Sequence, residues 1–144
     1  MENSLMGKTL VPARIENLHD LYNAETGSLS PAEVRSLEVA DALVDTGATT
    51  LSMPKRLIEQ LGLRPLRRRR ALTTTGETDV QVYGTVRLTV QGRDCTVDVS
   101  EVSDKFPVLI GQVPLELLDF VVDPVGQRLI GNPAHGGEHM IEMY

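Results

Sequence analysis

The chain has 144 residues, 41% of them apolar, enough for one modest hydrophobic core and leading to the expectation of a single domain over 1–144. A formal net charge of -6 argues against general nucleic-acid binding, and no apolar run is long enough to span a bilayer. Aromatic residues make up only 3% and tryptophan is absent, so the core has to be built from Val, Leu and Ile, whose branching suits pleated sheets.

Taken in chain order, Met1 to Gly7 lack the basic start and apolar run of a signal peptide, and the lone Cys95 excludes an internal disulfide framework. Both features lead to the expectation of a soluble, cytoplasmic protein. Thr9 to Ile15 reads as a first strand, Asn23 to Ser30 as a polar loop and Val34 to Val39 as a second strand. Leu43 and Val44 bring a further strand to Asp45, and Thr46, Gly47 and Ala48 make the turn that follows.

Pro54 to Gly62 predicts a short helix: Pro suits the first turn, Leu57, Ile58 and Leu61 share one face, and Gly62 suits the terminating position. The alternation of Val80, Val82, Gly84, Val86, Leu88 and Val90 against polar neighbours predicts a half-buried strand. Gln91-Gly92 turns it into a return strand that points Cys95, Val97 and Val99 inward. Val108-Leu109-Ile110 is a fully apolar run ending at Gly111, and Pro114 to Phe120 suggests a second short helix. Val121-Val122, a turn over Asp123 to Gly126, and Arg128 to Ile130 complete the pattern as a hairpin.

Three landmarks carry chemistry. The first is Val44-Asp45-Thr46-Gly47-Ala48, a carboxylate presented by a small turn at the end of an apolar strand. The second is Leu72 to Thr78, a Gly-bearing, Thr-rich segment ahead of the long hairpin, and the third is Val108-Leu109-Ile110-Gly111. In this order they resemble the retropepsin-like aspartic proteases, the single-domain branch, over about residues 8–130; the tail, 131–144, matches no motif of that family. The resemblance implies a mainly β, closed-barrel acid-protease fold with one or two short helices. It makes Asp45 the catalytic acid and Thr46 the residue whose hydroxyl locks two active-site turns together across a dimer. Gly47 then supplies an amide that steadies the carboxylate. Thr73, Thr74, Thr75, Gly76 and Glu77 become a flap over bound peptide, while Val108, Leu109, Ile110 and Gly111 become the element packed beneath the acid turn.

Only one such turn is present, and at this length no second lobe is expected. Aspartic proteases use two carboxylates about 3 Å apart that share a proton, so the resemblance implies a homodimer that pairs Asp45 with its own copy. The expected activity is hydrolysis of a peptide or protein substrate with no metal or organic cofactor. The alternative from another class is a catalytically silent peptide- or protein-binding or dimerisation module, against which an intact Asp45-Thr46-Gly47 argues. Ser or Thr at position 48 would donate to the carboxylate and favour its charged form; Ala48 has no donor, so activity is expected at less acidic pH than in pepsin-like enzymes.

Other features read more plainly. Arg67 to Arg70 form a basic run with no aromatic residue beside it for base stacking, which reads as a solvated strand or loop, a preference for acidic substrate residues being the second reading. Cys95 reads as a small buried hydrophobe. His135, Glu138 and His139 have the wrong order for a helical metal site, and Gly136-Gly137 would weaken the helix such a site requires.

Overall fold

The computed structural model describes residues 8–143; Met1 to Gly7, read above for a leader, and Tyr144 lie outside them. β1 (Thr9–Asn17) buries Val11, Ala13 and Ile15 on one face. It pairs antiparallel with β2 (Ser36–Val44), with a register shift between Val11 and Ala13. Pro12 sits at that irregularity, where its missing N–H costs no ladder bond. The two strands expected over Val34–Val39 and Leu43–Val44 are therefore one continuous strand that leads to Asp45.

Between β1 and β2 lies a helix that the sequence pattern does not predict, α1 (Leu18–Glu25), which takes in the first residues of the expected loop. The Asn17 side chain caps it by accepting from the Asp20 amide at 3.0 Å. Its one buried residue is Asp20, which accepts from the Arg35 amide, Nε and Nη2 at 2.8–3.0 Å. A helix anchored through a carboxylate has no apolar stripe to reveal it.

After the acid turn, β3 (Leu51–Pro54) is buried throughout and runs straight into α2 (Lys55–Leu61), which stops at Gly62 in the left-handed region, φ +65°. Then come β4 (Arg64–Thr73), β5 (Gly76–Val90) and β6 (Arg93–Val102) as two consecutive hairpins. Gln91 and Gly92 both have positive φ, the two-residue turn that matches strand twist. Val82, Val86, Leu88 and Val90 of β5 are buried, and Cys95 and Val97 of β6 pack against the core. The basic run lies on β4, which is solvent-exposed along almost its whole length.

β7 (Leu109–Ile110) leads to α3 (Gln112–Leu118), and β8 (Phe120–Asp123) pairs with β9 (Arg128–Gly131) as the closing hairpin. α3 begins two residues before the expected Pro114 and gives way to β8 at Phe120. The main sheet runs β1-β2-β7-β3-β6-β5-β4, and β5 also pairs with β1 from Arg14↔Thr89 to Asn17↔Val86, so the ladder returns on itself. The fold is thus mainly β, with three α-helices among the described residues where one or two were expected. Ile15, Leu51, Met53, Ile58, Leu88, Ile110 and Leu118 fill the interior, each large aliphatic side chain contributing about 1.5–3 kcal/mol by leaving water. β7 lies at the centre of this arrangement, parallel to β2 on one side and antiparallel to β3 on the other.

Candidate functional site

Buried Ala42 and Val44 seat the end of β2 in the core, while backbone bonds hold it to β7: the Leu43 amide donates to Val108 O at 2.8 Å and the Asp45 amide to Ile110 O at 3.0 Å. Asp45 is the first residue past the strand. The chain turns there, with the Ala48 amide donating to Asp45 O at 3.1 Å and the Gly47 amide donating to the carboxylate Oδ1 at 3.0 Å. A Cβ on Gly47 would lie 3.2 Å from that same oxygen, so a side chain there would crowd the contact. None of the described residues hydrogen-bonds Asp45 Oδ2. The Thr46 side chain is exposed and also has no hydrogen-bond partner among them.

The loop is held from below by the start of α3. The amides of Gly111, Gln112 and Val113 donate to the carbonyls of Thr50, Ala48 and Thr49 at 2.9, 2.8 and 2.9 Å. Amides at a helix N-terminus have no partner within the helix, and here the acid loop supplies their acceptors. Gly111 has extended backbone, φ -87°, so conformational freedom does not explain it. Proximity does: a Cβ there would lie 2.5 Å from Thr50 O and 2.7 Å from Ala48 O. Val108 to Gly111 and Asp45 to Thr50 are one tightly bonded unit.

The segment Thr73 to Glu77 is the exposed tip of the β4–β5 hairpin. The Thr73 hydroxyl donates to Gly76 O at 2.8 Å and accepts from the Thr75 amide at 3.2 Å, with the Thr75 hydroxyl a further 3.1 Å contact. Gly76 has φ +118°, and Glu77 pairs with Arg70. No hydrogen bond joins this tip to the acid loop among the described residues.

Beside the acid loop the structure opens a groove of about 450 Å³ between α3 and strands β4, β5 and β6; Thr49 and Thr50 form part of its wall. Arg67 and Arg69, two residues apart on β4, also line it. Sequence reasoning assigned no role to the groove. The signal available was the i, i+2 spacing of the two arginines, which places both on one face of a strand.

Two other clusters are structural in character. Burial pushes the Cys95 thiol up to about 11, with neighbouring Asp94 adding to the effect, so it stays protonated near neutrality. In the tail, His135 Nδ1 lies 2.7 Å from Asp119 Oδ2 and Nε2 lies 2.8 Å from Glu142. Hydrogen bonds first to Glu142 and then to Asp119 raise the imidazole above its ordinary value. The His135 contact is in turn the main cause that lowers Asp119, whose Oδ2 also accepts from the Met140 amide. His139 meets Leu117 O at 3.0 Å, so His135 and His139 face different partners. Among the described residues no group of His, Cys, Asp and Glu is placed to hold a metal ion, and no helix is long and apolar enough to cross a membrane.

No curated protein matches the chain by sequence. Among solved structures, the chain is similar to the protease of simian foamy virus (mac), determined in solution: 21% identity over 76% of this chain and 94% of that one, with a TM-score of 0.47. The model of the aspartyl protease family matches residues 30–113, from the segment before β2 to the first turn of α3, and so takes in the acid turn, both central hairpins and β7. With more than half of its length matched, the chain belongs to the aspartyl protease family.

Proposed function

We infer that the protein is a retropepsin-like aspartic endopeptidase that works as a homodimer, its active site assembled from the Asp45 carboxylates of two copies. The observation that carries this reading is the single acid turn. Gly47 steadies one carboxylate oxygen, and among the described residues neither the other oxygen nor the neighbouring Thr46 hydroxyl has a hydrogen-bond partner. On a two-fold axis each group meets its own copy, so one exposed turn per chain yields a facing pair.

The chemistry then needs no metal. One Asp45 is ionised and takes a proton from water as the water oxygen attacks the scissile carbonyl carbon, while the protonated Asp45 gives its proton to the carbonyl oxygen. The resulting tetrahedral diol collapses: the C–N bond breaks, the nitrogen gains a proton, and one product leaves as a carboxylic acid. The extended substrate offers a row of amide donors and acceptors, which the Thr-rich tip of the β4–β5 hairpin and the loop after Asp45 are suited to pair with as added strands.

The test is a peptide-library digest read by mass spectrometry with the wild type and Asp45→Asn. Cleavage at many sites by the wild type and none by the variant is expected; equal cleavage by both sinks the catalytic assignment. Sedimentation at several concentrations tests the pairing separately, because a protein that is active yet strictly monomeric contradicts a shared carboxylate pair.

A further inference from the structure

The groove beside the acid loop has a charge pattern that the fold alone does not require. Its floor is apolar, with Val82 and Val97 from the sheet and Val113 and Leu117 from α3, and Val113 and Leu117 remain exposed. Three charged side chains line it: Arg67, Arg69 and Asp98. Asp98 is fully engaged, with Oδ2 3.4 Å from Arg67 Nη1 and Oδ1 accepting from the Thr85 hydroxyl at 2.8 Å. Elsewhere on β4, Arg68 bonds Gln81 and Arg70 is taken up by Glu77 and Asp79. Arg69 has no ion pair or side-chain hydrogen bond among the described residues. One guanidinium is therefore left over at the mouth of an apolar groove, in a protein whose overall charge is negative.

The groove is continuous with the acid loop. Thr49 and Thr50 follow Asp45 by four and five residues, and the Thr50 hydroxyl is 3.0 Å from that of Ser100, which also lines the groove. A chain segment lying across Asp45 would extend into this groove without leaving the surface. We propose that the groove is a specificity subsite for an acidic side chain of the substrate, with Arg69 as the residue that selects it. The proposal rests on the peptidase reading above. The spare guanidinium offers a planar fork of donors to a carboxylate, the aliphatic stem of a Glu packs on the valine floor, and a Lys in the same place meets Arg69 as a like charge. Because Arg69 is exposed, the expected selectivity is about three- to tenfold for Glu over Gln, between that of an exposed ion pair and that of a sheltered charge-assisted hydrogen bond.

The test uses the full chain and a peptide library in which Glu, Gln and Lys are permuted at each position around the cleaved bond. Wild-type cleavage enriched for Glu at one fixed distance from the bond is expected, with Arg69→Glu transferring the preference at that position to Lys. An unchanged acidic preference in Arg69→Glu, or none in the wild type, overturns the proposal. Should the wild type cleave nothing, the peptidase reading fails on its own, and the subsite is judged by fluorescence anisotropy with Asp45→Asn and the same labelled peptides. Glu peptides binding three- to tenfold more tightly than their Gln counterparts, with the order reversed for Lys in the Arg69→Glu background, supports the subsite; equal binding overturns it.

Discussion

Replacing Gly111 by Ala adds a single methyl group at the point where α3, β7 and the acid loop meet. The backbone conformation there suits any residue, so the cost is one of space. The new Cβ would lie 2.5 Å from Thr50 O, 2.7 Å from Ala48 O and 2.7 Å from Thr49 C, all of them backbone atoms with no rotamer to escape into. Over-packing of this kind costs about 1–3 kcal/mol. If the loop yields instead, the three bonds from the amides of Gly111, Gln112 and Val113 lengthen together, each worth about 0.5–1.5 kcal/mol net. Either route takes a substantial share of a stability of about 5–15 kcal/mol. In urea unfolding the midpoint should fall by about 0.3–3 M, given a slope of about 1–3 kcal/mol per molar for a chain of this size. Gly27→Ala is the control, since its φ of +84° strains any side chain while nothing lies within 4 Å of the added Cβ; about 1–2 kcal/mol is expected there. Peptide cleavage by Gly111→Ala should fall further than its folded fraction does, because the displaced carbonyls belong to the loop that carries Asp45. A Gly111→Ala protein as stable as the wild type, with normal cleavage, would refute the claim that this glycine is required by proximity.

Thr46→Ala should leave unfolding of the monomer within about 0.5 kcal/mol of wild type, because among the described residues the side chain has no hydrogen bond to lose. Dimerisation should weaken by about 5- to 150-fold if each copy loses one hydrogen bond of about 0.5–1.5 kcal/mol at the axis, and analytical ultracentrifugation showing an unchanged dissociation constant would remove Thr46 from the interface. The tail should depend on pH through His135, whose contacts with Glu142 and Asp119 hold it above its ordinary value of 6.5. Raised on folding, the group stabilises the docked tail fully below about 6.5, and that contribution is lost as pH rises through the higher folded value. Asp119, held below its usual range, sets the other limit: its contribution is present above 3.8 and lost as pH falls through the lowered value. The protection factor of the Met140 amide, which donates to Asp119, measured against its intrinsic base-catalysed rate at each pH, should therefore fall on going from pH 6 to alkaline conditions; His135→Gln should lack that fall, and one that persists in the variant would show that another group controls the tail.

What was legible in the sequence, and what was not, follows from the range of the interactions involved. The β5–β6 hairpin could be read because alternation and a Gln91-Gly92 turn are local properties, each enforced by residues adjacent in the chain. The same holds for α2 and for the acid turn. α1 escaped notice because its only buried group, Asp20, finds its partner fifteen residues later in Arg35, and a polar anchor has no period. The docked tail escaped for the same reason. Arg93 at the start of β6 reaches Leu118 O, Asp119 O and Gly137 O at 3.0, 2.8 and 2.5 Å while its guanidinium lies 4.5 Å from the Phe120 ring, so one side chain ties together segments up to forty-four residues apart. Gly111 lies between these cases. Its place after an apolar run was visible, but its necessity comes from the sheet order that sets β7 between β2 and β3 and so drives the start of α3 against the loop carbonyls. The groove depends on that same order, since the face shared by Arg67 and Arg69 meets α3 only because β3 and β6 are neighbours. The turn that carries Asp45 is thus written locally in the sequence, whereas its seat against β7 and α3 and the arginines expected to choose its substrate are brought to it by topology.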